Sequence, residues 1–517
     1  MTSTTTCPYC HQTKIGKTPI AASSLQSPED EVAYILTETR RIEDQIQQLH
    51  ESKASLLRRM NAVQSSTRAL PPETLSYIFQ HTSPAPDFFR GARGSIQSDE
   101  VKFAFHLVLG SVSSHWRQVV HSTPILWSSI RISDIPSPRR AEKWSAFLQA
   151  CFQKSGGLPL DMAFDRFGRI LQPSDCFFSP KTDNILLENC HRIRSLRFDY
   201  YVCEKWLTLI PKLTGLVDLS IGSVKDIHTL SFPSSPHLTR LRLEGFIPDL
   251  DTGNLSNRLT VLELTDLPID ICMKALVECP ALTEFRCSEP SEPEGDYEVS
   301  VISGAITLPS LEYLQWTFTF EDIYMSWNLD LLVYIHTPAL NTLRWVQSTE
   351  DSQSLPSHIP EFFNRLPLTL NVLEFVEVAY ESWPQRQIVN HLRRDTQIRS
   401  IILERCSVQF LEDILTRLGD EDEGSLVFPH LSYMRVEGCL LPDSYHYSVL
   451  RPRTGSLLAR ALQRRCHSIE EFTFDIVHVP ELHWEDSDIN TFNRLVDEGL
   501  NLKILHHGHV FVGRNPG

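Results

Sequence analysis

The sharpest chemical pattern in the chain is Cys7-Pro8-Tyr9-Cys10-His11. A C-x-x-C pair can cycle as a dithiol or supply half of a zinc site, and C-x-x-C-H can attach haem. A zinc site needs a second pair of ligands nearby, but the next cysteine is Cys151. Metal or redox chemistry at this pair is left open. We assign no catalytic residue, metal ligand or cofactor-binding residue from it.

Other catalytic patterns are incomplete. Gly16-Lys17-Thr18 resembles the end of a phosphate loop, but the glycine that such a loop needs five residues earlier is replaced by His11. His50-Glu51 lacks the second histidine of a zinc protease, because Ala54 stands at that place. The sequence therefore predicts a protein that is not an enzyme and uses no cofactor.

Composition points to a protein that works inside the cell. The 517 residues are 41% hydrophobic and 22% charged, which is ordinary for a globular protein of several units. The net charge of −16 argues against nucleic acid as a partner. No window of ~18 uninterrupted apolar residues predicts a membrane span. The 12 cysteines lack framework spacing, which favours reduced thiols and a cytoplasmic or nuclear location.

A heptad pattern of apolar residues lies in the first part of the sequence. Residues 29–66 predict a coiled-coil-like helix of about 32 residues and about 48 Å. The a and d positions are Val32, Thr39, Ile46, Lys53 and Met60, and Ile35, Ile42, Leu49, Leu56 and Val63. This stripe must be covered, either by a second copy in a homodimer through residues 32–63 or by the chain's own next helices. Both alternatives remain open.

A short apolar-faced helix is predicted next. In Leu70-Pro71-Pro72-Glu73 the paired prolines stop the preceding helix and start a new one. Leu75, Ile78 and Phe79 then share one face. After a polar loop, helical periodicity resumes and includes Val112 and Trp116.

From about residue 190 an L-x-x-L-x-L pattern recurs, as in Leu238/Leu241/Leu243 and Leu340/Leu343/Trp345. Twelve windows fit it, at spacings of roughly 20–40 residues that suit one strand and a return segment per repeat. The asparagine ladder of regular leucine-rich repeats is missing. The pattern therefore predicts an irregular array.

The run from Leu70-Pro71-Pro72-Glu73 to Ile78-Phe79, with Leu107 to Val119 behind it, resembles the F-box motif. Its continuation Ser122-Thr123-Pro124-Ile125-Leu126-Trp127, and Ser155-Gly156-Gly157-Leu158-Pro159-Leu160, are similar to F-box proteins of mushroom-forming fungi. The resemblance implies a three-helix module that binds a Skp-type adaptor, and through it a cullin and RING-finger ubiquitin ligase. Residues 82–105 exceed the usual spacing between the halves of the motif.

The resemblance also implies site residues. The expected adaptor-binding residues are Leu70, Pro71, Leu75, Ile78, Phe79, Val112 and Trp116. Substrate contacts are expected from polar residues between the apolar strand positions, namely Arg242, Glu263, Gln315, Arg344, Glu374 and Arg435.

These patterns give the expected fold class as α plus α/β, with a long N-terminal helix and a three-helix F-box-like module followed by an irregular leucine-rich-repeat solenoid. The expected divisions are a flexible tail (1–28), a heptad helix (29–66), an F-box-like domain (68–130), a linker and solenoid cap (131–189) and the solenoid (190–517). The expected function is a substrate-recognition adaptor of a Skp/cullin/F-box type ubiquitin ligase. The alternative is a scaffold outside any ligase that dimerises through the heptad helix.

Overall fold

The chain divides into two compact units, residues 1–81 with 109–121, and residues 82–108 with 122–517. The computed structural model describes residues 4–6, 13–15, 27–64, 66–82, 105–132, 141–164, 180–198, 204–222, 229–231, 237–245, 249–251, 255, 257–292, 306–318, 332, 334–347, 359–378, 397–419, 427–438, 440–441, 444–447, 452–479 and 484–512.

The first unit is largely helical where it is described. A helix at Pro28–Gln64 begins at Ser27, whose hydroxyl accepts a hydrogen bond from the backbone N–H of Asp30 at 3.2 Å. The acidic first turn also favours a helix start, because the N-terminal end of a helix attracts negative charge. A 3-10 turn at Ser66–Ala69 separates this helix from the helix Pro72–Thr82, and the helix Ser114–His121 completes the described helices assigned wholly or mainly to this unit.

Strands dominate the second unit. In chain order the strands of the whole molecule are β1 (Thr4–Thr6), β2 (Thr13–Ile15), β3 (Ser129–Ile132), β4 (Leu160–Phe164), β5 (Ile193–Phe198), β6 (Asp218–Ile221), β7 (Thr229–Ser231), β8 (Arg240–Glu244), β9 (Asp249–Asp251), β10 (Val261–Thr265), β11 (Glu284–Ser288), β12 (Ile306–Thr307), β13 (Tyr313–Phe318), β14 (Ile335–His336), β15 (Thr342–Gln347), β16 (Val372–Val376), β17 (Ser400–Glu404), β18 (Tyr433–Glu437), β19 (Leu440–Leu441), β20 (Ser444–Tyr447), β21 (Glu471–Val477), β22 (Asn501–His506) and β23 (His509–Val512). Only β1 and β2 belong to the first unit.

One 15-stranded sheet runs from β3 to β23, with neighbours in the order β3-β4-β5-β6-β8-β10-β11-β13-β15-β16-β17-β18-β21-β22-β23. The strands pair in chain order and in parallel, except that β23 folds back antiparallel on β22. Smaller two-stranded sheets join β1 with β2, β7 with β9, β12 with β14 and β19 with β20.

Helices connect many of these strands, as parallel pairing requires a crossover. The connecting helices are Ala141–Lys154, Pro180–Glu188, Glu204–Leu209, Ile269–Glu278, Ile359–Asn364, Val408–Gly419, Pro452–Arg465 and Asp486–Asp497, with a 3-10 turn at Ile210–Lys212, whereas the helix Phe105–Val112 and the 3-10 turn Pro124–Trp127 precede β3.

The core lies between one face of the sheet and these helices. Alternate strand residues such as Trp345 and Phe375 are buried on that face. The ring of Trp345 lies 5.2 Å from Phe363 of the helix Ile359–Asn364, and Phe375 lies 5.1 Å from Phe410 of the helix Val408–Gly419. Large rings from strand and helix therefore pack against each other in the apolar layer between the sheet and the helices.

The expected fold class was wrong. The described residues form an α/β fold built on one large, mostly parallel sheet, and not a helical F-box module followed by a leucine-rich-repeat solenoid. The L-x-x-L-x-L pattern reports strand residues that face one side, and that alternation is the same in any sheet with one covered face. It does not report the crossovers, which here include helices that pack on the sheet.

The sheet also begins earlier than the repeat pattern indicated. Strands β3 and β4 lie in or beside residues 131–189, the stretch expected to be a linker and cap. β3 pairs with β4 and β4 pairs with β5, so this stretch is continuous with the sheet. Neither strand carries the full leucine pattern, which is why the sequence did not place them there.

A backbone feature recurs where strands end. Asp266, Glu377 and Arg405 each follow a strand and have φ between 51° and 59°, in the left-handed region. Gly245 occupies the same place after β8. The backbone N–H of each of these residues donates to the neighbouring strand, as Arg405 does to the carbonyl of Glu437 at 2.7 Å. The ladder bond helps hold non-glycine residues in a conformation that they adopt at a cost.

Among the described helices, none is long and apolar enough to cross a membrane.

Candidate docking and binding surfaces

The docking segment is built on the helix Pro72–Thr82. Proline fits the first turn of a helix because that turn leaves its backbone N–H groups without helical partners. The backbone N–H of Leu75 donates to the carbonyl of Pro71 at 3.1 Å, so the first hydrogen bond of the helix reaches back to the expected docking residue. Leu70 is half-buried and Pro71 is exposed.

Leu75 and Phe79 lie inside the unit, each 1% exposed. The ring of Phe79 packs 4.8 Å from the ring of Trp116, and the Trp116 indole N–H donates to the Thr67 hydroxyl at 3.1 Å. That Leu75 and Phe79 form part of the adaptor-facing and supporting surface stays a prediction, and their burial means that they support the helix from inside the unit. They share a helical face with each other, and that face is the core of the unit.

The outward residues are different ones. Ile78 is 41% exposed and Val112 is 49% exposed. Tyr77 was not among the expected site residues, yet it is 63% exposed beside Ile78. Helical periodicity could have identified Tyr77. It lies next to the exposed Ile78 and two residues before the buried Phe79, and such a position faces away from the core. Residues 83–104 of the long insertion lie outside the described residues.

The expected substrate contacts do fall on one surface, the face of the sheet opposite the helices. Strand register places nine residues of adjoining strands in a single row. In strand order the row is Arg242, Glu263, Arg286, Gln315, Arg344, Glu374, Ile402, Arg435 and Asp475.

At one end of this row, Arg242 and Glu263 pair with each other. Arg242 Nε lies 3.3 Å from Glu263 Oε1, and both side chains are less than a tenth exposed. Burial raises the pKa of Glu263, and the charge of Arg242 offsets only part of the rise. Arg242 and Glu263 are thus buried and paired with each other, and substrate contact by this pair stays a prediction.

The middle of the row is more open and is held by one arginine. Arg344 donates to Glu374 at 2.6 Å and to Glu404 at 2.7 Å, with a quarter of its side chain exposed. Burial alone lowers the pKa of Arg344, but the hydrogen bonds and charges of Glu374 and Glu404 outweigh burial and raise it. Arg405 extends the network by pairing with Glu404 at 2.9 Å and Glu377 at 2.7 Å.

Gln315 and Arg435 are half-buried on the same face. Gln315 donates to Thr317 at 3.4 Å, and Arg435 pairs with Glu437 at 2.8 Å. Sequence reasoning missed Glu404, Arg405 and Glu437 because it considered only the position between the two apolar strand residues. The next position on the same face lies two residues further on, and period-two alternation would have found Glu404 and Glu437.

No group of three or more histidine, cysteine, aspartate or glutamate side chains in the described part of the chain is placed to hold a metal ion. His506 Nε2 lies 2.8 Å from the carbonyl of Val479. Cys7 and Cys10 lie outside the described residues.

Comparisons with known proteins do not show a family. No protein-family model matches the chain. No curated protein matches its sequence. A crystal structure of a protein from Bacteroides fragilis, a structural-genomics target, matches with a TM-score of 0.30 and 12% identity over 68% of this chain and 75% of that chain. A likeness of this size carries no argument about fold or function.

Proposed function

We propose that the chain is a substrate-recognition adaptor of a Skp/cullin/F-box type ubiquitin ligase. In this proposal the helix Pro72–Thr82 and its neighbours bind a Skp-type adaptor, and the sheet face recruits the protein substrate. The chain itself breaks and forms no bond. It raises the rate of ubiquitin transfer by holding the substrate close to the ligase.

The observation that carries the proposal is the two-sided use of apolar residues by the helix Pro72–Thr82. Leu75 and Phe79 hold it to the unit, while Pro71, Tyr77 and Ile78 remain exposed. A small helical unit has little core in which to hide large side chains, and an exposed apolar patch is typical of a protein interface. The F-box resemblance begins at the same residues.

The sheet face supports the second half of the proposal. Gln315, Arg344, Glu374 and Arg435 are partly exposed on adjoining strands, among further charges of both signs. Pairs such as Arg344–Glu374 fix these side chains in position, so a protein partner would meet a preformed polar pattern at a low entropic cost. A ligase role would locate the chain in the cytoplasm or nucleus, and the free cysteines of the described residues are compatible with that location.

Co-purification with a Skp-type adaptor tests the docking half. Leu70→Ala combined with Pro71→Ala is expected to reduce capture of purified adaptor by full-length chain about tenfold or more, because a partly exposed apolar anchor is lost. The matched control is Leu158→Ala with Pro159→Ala, an exposed Leu-Pro pair of the other unit, which should leave capture unchanged.

Equal capture by wild type and by the Leu70/Pro71 variant would contradict the docking assignment. Loss of capture by both double variants would show a general effect of the substitutions instead of a docking site. If the chain binds no Skp-type adaptor at all, the ligase proposal fails and the scaffold alternative is favoured.

A further inference from the structure

The helix Pro28–Gln64 carries an apolar stripe that the described chain does not cover. Leu49 is 70% exposed and Val63 is 85% exposed. The other exposed apolar heptad residues are Val32, Ile35, Ile42, Ile46, Leu56 and Met60. Three to four heptads suffice for a coiled coil, and this helix offers about five. The stripe is thus long enough to bind another helix stably.

We propose that this helix pairs antiparallel with the same helix of a second copy of the chain. The a positions of the helix begin at Val32 and its d positions end at Val63, so the heptad maps onto itself when the helix is reversed about the midpoint between Gln47 and Gln48. Every a residue then meets a d residue of the second copy. Val32 lies opposite the second copy's Val63, and Ile46 lies opposite the second copy's Leu49.

The two polar a residues distinguish this arrangement from a parallel one. A parallel pair in register stacks Lys53 on the second copy's Lys53 and Thr39 on the second copy's Thr39, at a cost to stability. The antiparallel pair places Lys53 against Ile42, and Thr39 against Leu56. The lysine stem can cover apolar surface while its ammonium reaches water, so neither layer brings like charges together.

The residues beside the stripe agree with the same register. In an antiparallel pair, e positions face e positions and g positions face g positions. Leu36 and Leu57, two e residues that are 54% and 44% exposed, then cover each other across the interface. In a parallel pair each of them would face a polar g residue, either Glu31 or Ser52.

Charge complementarity also favours reversal. The helix has an acidic first turn at Glu29, Asp30 and Glu31, and arginines 58 and 59 in its C-terminal part. The g residue Glu38 faces the second copy's Arg59 in the antiparallel register. The parallel register instead sets Glu38 beside the second copy's Glu43, which repels it. Within one chain, Glu38 pairs with Arg41.

This inference does not depend on the proposed ligase function. A homodimer through Pro28–Gln64 is compatible with adaptor docking by Pro71 and Ile78 and equally with a scaffold. Dimerisation and adaptor capture can therefore fail separately.

Light scattering of the full-length chain tests whether it forms a dimer. At micromolar concentration the mass should be twice the 59.2 kDa of one chain, and Leu49→Asp should return it to the monomer. Val277→Asp, at an exposed apolar residue of another helix, is the matched control and should stay dimeric. A wild-type chain that remains monomeric overturns the proposal.

Cysteine cross-linking decides the direction. Thr39→Cys chains mixed with Leu56→Cys chains should oxidise to a 39–56 disulfide, identified by peptide mass spectrometry, while either variant alone should give no 39–39 or 56–56 bond. A 39–39 disulfide from the single variant would establish a parallel pair and overturn the proposal.

Charge-reversal variants test the direction of helix pairing without added cysteines. Glu38→Arg should raise the dimer Kd roughly tenfold, since it sets arginine against Arg59 at two symmetric places. Combining it with Arg59→Glu should restore the wild-type Kd. A Glu38→Arg chain that dimerises more tightly than wild type would indicate the parallel register and contradict the antiparallel one.

Discussion

The two units of the molecule use apolar and charged residues in opposite ways. In the sheet unit, large rings such as Trp345 are buried and the outward sheet face is closed by arginine–glutamate pairs. In the helical unit, Tyr77, Ile78 and most of the heptad stripe are exposed, and the Arg41–Glu38 ion pair is exposed along one helix. The sheet unit thus buries most of its large apolar side chains, whereas the helical unit leaves apolar side chains exposed on its surface.

The largest expected loss of stability comes from a substitution in the core of the sheet unit. Trp345→Ala is expected to lower the free energy of unfolding by about 3–5 kcal/mol, because it leaves a cavity against Phe363. Tyr77→Ala, in the helical unit, should change it by less than about 0.5 kcal/mol. Urea unfolding of both variants gives the measurement. Similar losses from Trp345 and Tyr77 would break the contrast between the units.

A smaller effect is expected from the charge network. Arg344→Met should cost about 1–3 kcal/mol, since it leaves the mostly buried carboxylate of Glu374 without its arginine and leaves Glu404 with Arg405 alone. Arg41→Met removes an ion pair that is exposed on the helix Pro28–Gln64, and no measurable loss should follow. The same urea unfolding reports both, at a protein concentration low enough to keep chains monomeric. An Arg344→Met chain as stable as wild type would show that the network does not support the sheet.

The smallest effect is a dependence on pH. Burial raises the folded-state pKa of Glu263 above its ordinary value of 4.5, so the folded chain holds this proton more tightly than the unfolded chain. The ionised carboxylate therefore costs stability near neutral pH, and that cost is relieved as pH falls through the folded pKa towards 4.5.

Glu263→Gln cannot titrate, which makes it the reference for this pH effect. The free energy of unfolding of wild type minus that of Glu263→Gln should rise as pH falls from 7 through the raised pKa, and should level off below about 4. A constant difference would mean that Arg242 fully offsets the burial of Glu263, and a difference that falls on acidification would mean that the folded-state pKa is lowered; either result would contradict the expectation.

Part of this structure was predictable from local patterns. The heptads gave the helix Pro28–Gln64, and the paired prolines placed the start of the helix Pro72–Thr82, because both signals act within a few residues. The leucine windows fell on strands, as Leu241 and Leu243 do on β8. Those windows did not predict how the strands are connected, so the fold class was wrong.

The remaining features depend on contacts between distant residues. Whether Leu75 faces a partner or the core is decided by what packs against its helix, and the sequence gives only the shared face. The burial of Arg242 and Glu263 follows from their meeting on adjoining strands, which needs the register of β8 and β10. The left-handed backbone at Arg405 could not be predicted, because the residue is not glycine and a ladder hydrogen bond from another strand helps hold its conformation.

A calorimetric titration of the full-length chain with purified Skp-type adaptor tests the central claim most directly. The account predicts one adaptor bound per chain, a Kd at least about tenfold weaker for Ile78→Asp, and an unchanged Kd for Val277→Asp, whose residue is similarly exposed on a helix of the other unit. Absence of binding by the wild-type chain, or equal weakening by both variants, would contradict the claim that this surface docks a ligase.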